Sequence, residues 1–422
     1  MRDAPSPRAA RLVPALLREH RQFARYWAGQ TISLFGDAVS LLALPLVAVL
    51  TLHASPAEMG YLTGAGMAPS LVFSLHAGVL ADRLGRRRLM MIAADAGRAL
   101  LLATVPVAAA AGVLTLPQLY AVAFLTGSLS VLFAVSSSIL FVSVVPRERY
   151  MDANSLLYGS RALSFVGGPS VGGILVQVLS APLAVLADAV SFLVSAVSLL
   201  SIRPPEPGAD PDRRGQLTAG LRFIAGSPVM RASLAATATI NLFNFMYSSL
   251  VILYATRTLQ LRPGLLGLIV GTGSVGSVAG SLVARRLGGR IGVGPAFIVG
   301  SALFPIPLVL VPLAGGPLPL VAAMLFAAYF GAGFGVMVLD ICAGTIFAAL
   351  LPDRLRARVQ GAYMFVNYGV RPVGALLGGV LGATIGVRPT LLVATIAAAA
   401  GFLWLLPSPL PGMRDLPDSA EA

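Results

Sequence analysis

The sequence contains no lysine and only one cysteine, Cys342, and charged residues make up just 11% of its 422 residues. A single cysteine excludes an intramolecular disulfide and any metal site built from a cysteine cluster. The three histidines, His20, His53 and His76, are scattered along the chain and indicate no metal site. The sequence also lacks a Walker loop, which argues against direct coupling to ATP. We expect no metal, no cofactor and no enzymatic activity.

Long apolar stretches take the place of the missing charge. Hydrophobic residues make up 57% of the chain, and the charged fraction is far below the roughly one quarter found in soluble domains. A membrane-spanning helix needs about 20 apolar residues. We therefore predict an all-α polytopic membrane protein with twelve transmembrane helices. The predicted spans are 24–52, 57–81, 89–112, 117–143, 155–178, 181–202, 230–257, 263–287, 292–314, 319–350, 358–385 and 387–407.

All thirty basic residues are arginine, and the formal net charge of +13 invites a nucleic-acid-binding hypothesis. Their distribution argues against it: twenty-four lie in tails or loops that a cytoplasmic N-terminus places inside, three lie outside and three lie within spans. Such an excess of positive charge is typical of the cytoplasmic loops of membrane proteins. We predict a multi-pass protein of the cell membrane with both termini cytoplasmic, a retained first span and no nucleic-acid partner.

The two halves of the sequence repeat each other. A shift of 206 residues maps Pro146 onto Pro352 and Gly168 onto Gly374. The longest polar stretch, which is rich in proline and charge, lies between the halves. We predict two pseudo-symmetric six-helix bundles joined by a cytoplasmic linker. The predicted boundaries are 1–23 for the N-terminal tail, 24–202 for the first bundle, 203–229 for the linker, 230–407 for the second bundle and 408–422 for the C-terminal tail.

Residues 78–88 form a basic turn between spans 2 and 3 and read Gly-Val-Leu-Ala-Asp-Arg-Leu-Gly-Arg-Arg-Arg. Gly85 permits a sharp reversal, and Asp82 can cap or pair with the arginines that follow. A loop that only sets topology is one interpretation. The pattern also resembles the signature of the major facilitator superfamily of secondary transporters. That resemblance implies a conformational latch made of Gly78, Asp82, Arg83, Gly85 and Arg86.

A glycine-rich motif lies in span 5. Gly168, Pro169, Gly172 and Gly173 resemble the core of the superfamily's antiporter motif, which favours an exporter that exchanges a drug for protons. Ordinary packing of small residues is the alternative interpretation. Residues 27–37, 152–156, 186–192 and 352–386 resemble the branch of macrolide-type and siderophore efflux proteins.

Seven ionisable residues lie within predicted spans, where each costs about 2.5–3.5 kcal/mol on insertion scales. These are Asp37, Asp95, Arg98, Arg161, Asp188, Asp340 and Arg371. Asp95 and Arg98 are spaced as an i, i+3 ion pair, and we interpret them and Asp188 as structural. Asp37 lies near the midplane and is the first candidate for proton coupling, with Asp340 as the second. The alternative is that Asp37 caps or packs a helix break beside Gly36.

Polar side chains on the helices that line the transport path in the superfamily are candidates for substrate binding. They are Arg161, Arg371, Gln30, Asn241, Asn244, Asn367 and Tyr363. Hydrogen bonding between helices is an equally available role for such residues.

We predict a proton-coupled antiporter that exports an amphipathic small molecule, such as a drug, a macrolide-like natural product or a siderophore. Its expected partners are that substrate, protons and membrane lipids, and we expect a monomer. The alternatives are an importer or lipid-moving facilitator of the same fold, or a transport-inactive membrane sensor.

Overall fold

The structure, a computed structural model, describes residues 15–84, 86–203 and 217–414, and the described residues contain helices and no strands. The helices of the first half are α1 (Ala15–Glu19), α2 (Arg21–Leu46), α3 (Pro56–Leu84), α4 (Arg87–Ala110), α5 (Leu116–Val144), α6 (Tyr150–Val178) and α7 (Ala181–Leu200). Those of the second are α8 (Leu217–Gly226), α9 (Pro228–Leu253), α10 (Pro263–Ile291), α11 (Val293–Leu303), α12 (Leu310–Leu313), α13 (Leu318–Leu350), α14 (Asp353–Thr384) and α15 (Val387–Ala400).

The helices confirm the prediction of a polytopic all-α membrane protein. Among the described residues, ten helices are long and apolar enough to cross a membrane. Two others, α3 and α6, are 29 residues long and lie at the predicted spans 57–81 and 155–178. The span at 292–314 is interrupted after α11, because Pro305 and Pro307 cannot donate the backbone hydrogen bonds of a continuous helix. A short 3-10 segment, Ile306–Val309, connects α11 to α12 there.

Successive spanning helices run in opposite directions, so their ends fall on two faces. The face at which α2 begins and α15 ends is called the tail face. The opposite face is called the far face. Helices α3 and α10 begin on the far face, whereas α6 and α14 end there. The two halves contact each other through α3 against α14 and α6 against α10.

Glycines allow these helix pairs to approach closely at the far face. A methyl group added to Gly60 would lie 2.7 Å from the Cα atom of Gly379, and one added to Gly267 would lie 3.0 Å from the Cα atom of Gly173. Cβ atoms hardly ever approach the backbone of a neighbouring helix so closely, so only small residues permit these crossings. The halves are therefore joined tightly at the far face.

Part of the predicted linker is helical. Helix α8 packs on α14, and Ile224 and Met230 share a buried cluster with Val359 and Ala362. Residues 204–216 of that linker lie outside the described residues. The domain boundaries themselves stay a prediction.

Candidate functional site

The second half contains a cavity of about 760 Å³ between α9, α13 and α14. It extends from the middle of these helices to their tail-face ends, where Met230 and Arg356 line it. Aromatic rings cover much of its wall, from Phe245, Phe304, Phe347, Tyr363 and Tyr368. Its polar groups come from Asn241, Asn244, Asp340, Gln360, Asn367 and Arg371, among others. A cavity with an apolar wall and a few placed polar groups is typical of small-molecule sites.

A chain of hydrogen bonds fixes Arg371 in this cavity. The Nε atom of Arg371 donates to Asn241 Oδ1 at 3.0 Å, and Asn241 Nδ2 donates to Asn367 Oδ1 at 3.2 Å. The guanidinium carbon lies 4.1 Å from the ring centroid of Tyr368 and 5.0 Å from that of Phe245. Neither Nη atom has a hydrogen-bond partner among the residues that the structure describes. The arrangement holds a guanidinium group ready for an anionic partner.

Tyr363 extends this polar wall towards the tail face. Its hydroxyl shares a 2.7 Å hydrogen bond with Thr237 Oγ1 and donates to the Ser233 carbonyl oxygen at 3.1 Å. The ring meets that of Phe347 edge to face, with centroids 4.9 Å apart. Because its hydroxyl is already satisfied within the protein, Tyr363 offers a bound molecule mainly its ring.

Asp340 faces the same cavity from α13, and its side chain is exposed. It has no hydrogen bond among the described residues, and Arg371 is the cation with which it interacts electrostatically. The cavity therefore presents one carboxyl group and one guanidinium group on different helices, without an ion pair between them within the described structure.

The first half has its own pair of exposed charges, on α2 and α6. Asp37 and Arg161 are both exposed and interact electrostatically. Neither has a hydrogen bond among the described residues. Arg161 and Gln30, two of the predicted substrate-binding residues, do not line the cavity of the second half. The Nε2 atom of Gln30 is buried and has no hydrogen-bond partner within the described structure.

Behind Asp37 lies a buried charge cluster on α4 and α7. Arg98 forms an ion pair with Asp95, as its i, i+3 spacing predicted. The guanidinium carbon of Arg98 lies over the rings of Phe133 and Phe192, 4.6 and 4.0 Å from their centroids. Buried ions are tolerated only when they are paired and hydrogen-bonded. The ion pair meets part of this need, but Asp95 Oδ2 and Arg98 Nε are buried without a hydrogen-bond partner within the described structure.

Asp188 belongs to the same cluster but lacks such a partner. Its side chain is 1% exposed, and it accepts a 3.0 Å hydrogen bond from Ser191 Oγ. Asp37 is among the groups that interact with it electrostatically. No local sequence pattern indicates this neighbourhood, because Asp188 and Asp37 lie 151 positions apart.

The glycine motif of α6 lies at two helix crossings. Gly168 and Gly172 pack against Ala38 and Val39 of α2, and a methyl group added to Gly172 would lie 3.2 Å from Val39 Cα. Gly173 packs against Gly267 of α10. Pro169 lies inside the helix and is buried. The motif therefore joins α6 both to its own half and to the other one.

The predicted latch lies mainly outside the described residues. Gly85 is not described, and neither are the side chains of Asp82 and Arg83. Gly78 lies within α3. Arg86 is exposed and directly precedes α4. The latch assignment stays a prediction.

Comparisons with known proteins agree with this architecture. The profile of a family described as "Transmembrane secretion effector" matches residues 14–421. The multidrug efflux pump Tap of Mycolicibacterium fortuitum is 27% identical over 406 residues, covering 90% of this chain and 93% of that protein. YfiS of Bacillus subtilis strain 168, described as an uncharacterized MFS-type transporter, is 27% identical over 394 residues, covering 90% of this chain and 91% of that protein.

A solved structure extends the comparison to the fold. A bacterial homologue of the human lysosomal transporter Spinster, in an inward-facing and occupied conformation, superposes with a TM-score of 0.71. The two chains are 13% identical, and the match covers 94% of this chain and 98% of that one.

Proposed function

The chain belongs to the transmembrane secretion effector family of the major facilitator superfamily, and from this premise we propose that it exports an amphipathic small molecule in exchange for protons. It is a multi-span membrane transporter rather than an enzyme. The observation that carries the proposal is the cavity of about 760 Å³, whose aromatic wall and fixed polar groups suit an amphipathic molecule. The efflux pump among its relatives supports the export direction.

In this proposal the main proton-coupling group lies in the first half and the substrate-binding cavity in the second. Asp37 in the first half is the main proton-coupling group, because it is exposed midway along a membrane helix where a permanent charge costs several kcal/mol. Asp340 is the second such group. A carboxyl group that alternates between charged and neutral forms can link proton movement to a change of access.

The substrate binds in the second half. Arg371 binds an anionic group of the substrate, and Asn241, Asn244 and Asn367 supply further hydrogen-bond donors and acceptors. Tyr363 and the other rings cover the apolar body. Arg161 and Gln30 contribute from the first half when the halves move together. Drugs, macrolide-like natural products and siderophores are the substrate classes we propose.

The orientation follows from the arginine distribution. With both termini in the cytoplasm, the tail face is cytoplasmic, and a cavity that extends to the tail face while the halves meet at the far face corresponds to an inward-facing state. The latch residues Gly78, Asp82, Arg83, Gly85 and Arg86 then stabilise the outward-facing state. Gly168, Pro169, Gly172 and Gly173 limit proton leak. The protein acts as a monomer surrounded by membrane lipids.

The test uses purified protein in liposomes with rhodamine B, a fluorescent amphipath that carries a carboxylate. A pH gradient should drive rhodamine B transport by the wild type. Asp37→Asn should abolish this gradient-driven transport but still exchange rhodamine B across the membrane when no pH gradient is applied. Asn keeps the size of the side chain but cannot release a proton. Asp152→Asn removes an exposed carboxylate near the tail face and serves as the matched control.

Undiminished gradient-driven transport by Asp37→Asn would remove Asp37 from the mechanism. Transport by the wild type that ignores the pH gradient altogether would favour a facilitator. Binding without any transport would favour a sensor.

A further inference from the structure

The ionisable groups around Asp188 do not balance. Asp37, Asp95 and Asp188 bring three carboxyl groups into one region, where Arg98 is buried and Arg161 is exposed. Arg98 is committed to Asp95 by an ion pair and also donates to Ser130 Oγ at 3.3 Å. No cation is left in hydrogen-bond contact with Asp188 among the residues that the structure describes.

Asp188 has little else to stabilise a negative charge. It is 1% exposed, and the side-chain donors that face its carboxyl group are two hydroxyls: Ser191 Oγ, which donates at 3.0 Å, and the buried Oγ atom of Ser40. An isolated carboxylate in an apolar interior is so costly that such a group is normally neutralised. Arg98 attracts it only from a distance, with Asp95 lying directly on that guanidinium. A neutral, protonated Asp188 resolves the imbalance.

The packing of α7 on α2 brings this carboxyl group close to the transport path. A methyl group on Gly36 would overlap the Asp188 carboxyl group and lie 2.7 Å from Ser191 Cβ. Asp188 therefore lies directly against the α2 backbone, one residue before Asp37. Asp37 and Asp188 repel each other electrostatically when both are charged, and two carboxyl groups that share a site do not both ionise readily.

We propose that Asp188 is a further proton-coupling group, which shares the site in the first half with Asp37 and exchanges a proton with it. In this step the O–H bond of the Asp188 carboxylic acid breaks and one forms on the Asp37 carboxylate, and the reverse step restores it. Asp37, which faces the path, takes up a proton from water there or releases one to it only while Asp188 holds the other, so the two carboxyl groups are never ionised together. Asp95 and Arg98 stay paired behind them and keep the local charge constant. Arg98 and, less strongly, Arg161 on α6 attract the ionised form of Asp37.

This inference rests on the proposed role of Asp37, and two readouts separate them. The first is the infrared C=O stretch of protonated carboxyl groups in purified protein at neutral pH. Asp188→Asn should remove one component of this band, whereas Asp37→Asn and the exposed control Asp152→Asn should leave it. An unchanged band in a folded Asp188→Asn protein overturns the proposal, whatever the transport result.

The second readout is rhodamine B transport in liposomes. Asp188→Asn should lose gradient-driven transport and keep exchange without a gradient, like Asp37→Asn, while Asp188→Glu should retain part of the coupling because it keeps an acid. If Asp37→Asn remains coupled, the proposed function fails. If Asp37→Asn loses coupling while Asp188→Asn keeps it, only the present inference fails. If Asp188→Asn does not fold, Asp188→Glu and the infrared spectrum of Asp37→Asn still test the proposal. Loss of the C=O component in Asp37→Asn would place the proton on Asp37 and overturn the assignment of a protonated Asp188.

Discussion

Arg371 combines three features inside the cavity. Its Nε atom is held by Asn241, its plane is flanked by Phe245 and Tyr368, and its Nη atoms have no protein hydrogen-bond partner within the described structure. A guanidinium group that is already oriented loses less entropy when it binds a carboxylate, and it binds with two parallel hydrogen bonds. Its role should therefore depend on the charge of the substrate.

We expect Arg371→Gln to weaken rhodamine B binding and to leave its ethyl ester, which lacks the carboxylate, largely unaffected. Hydrogen bonds to charged groups contribute about 1.5–3 kcal/mol, so the affinity for rhodamine B should fall about tenfold or more, since 1.4 kcal/mol corresponds to a factor of ten. Fluorescence titration of purified protein measures both ligands. Arg257→Gln removes an exposed arginine outside the cavity and is the control. An equal loss for both ligands would mean that Arg371 acts through cavity structure and not through charge.

At this scale the sequence was informative where the interaction is local. The spacing of Asp95 and Arg98 within one helix turn predicted their ion pair, and the structure confirms it. The placement of Asp188 beside Gly36 depends on how α7 packs on α2, which no local pattern encodes. Phe245 and Tyr368 likewise gain their role only once Arg371 is placed between them.

The helices themselves were largely predictable, because a membrane span needs a minimum apolar length. The predicted span 181–202 corresponds to Ala181–Leu200, and the predicted span 319–350 corresponds to Leu318–Leu350. Helix α8 within the linker was not predicted. It is short, and its cluster with α14 forms from residues more than a hundred positions apart. Long-range packing again decided what the local pattern left open.

The far-face contact between α6 and α10 depends on glycine. A side chain at Gly267 would meet the backbone of α6 at Gly173, so Gly267→Val should separate the two helices and disfavour the state with a closed far face. A ligand that needs this state then binds with an apparent affinity reduced by the fraction of molecules that still adopt it. We expect weaker rhodamine B binding from the tail face and slower transport, with the fold retained.

The matched control for Gly267→Val is Gly159→Val on α6, where an added Cβ atom meets no atom within 4 Å. Thermal unfolding of both variants checks that the fold is intact. The idea fails if Gly159→Val and Gly267→Val affect binding equally, since the effect would then follow from valine in a membrane helix and not from the crossing.

Within the described residues, the two halves meet closely at the far face, and the second half leaves a cavity towards the tail face. In alternating access, the two halves rock about the substrate site, so the resting state and the membrane orientation together decide which solution reaches the cavity. Ala348 is exposed and lines the cavity near the tail-face end of α13. Gly315 lies in an exposed far-face loop, where an added side chain meets no atom within 4 Å.

These two positions test orientation and resting state together. In a Cys342→Ala background, Ala348→Cys should react with a membrane-impermeant thiol reagent in inside-out vesicles and hardly in right-side-out vesicles, because the described structure leaves the cavity accessible from the tail face. Gly315→Cys should show the opposite preference. Cys342 itself is buried, with 3% of its side chain exposed, so its replacement removes little background.

A pH gradient that drives transport should raise the outside reactivity of Ala348→Cys by populating the other state, while Gly315→Cys stays constant. Outside labelling of Ala348→Cys at rest, with Gly315→Cys also labelled from outside, would mean that the resting state faces outward. Reversal of both preferences would mean that the tail face is not cytoplasmic.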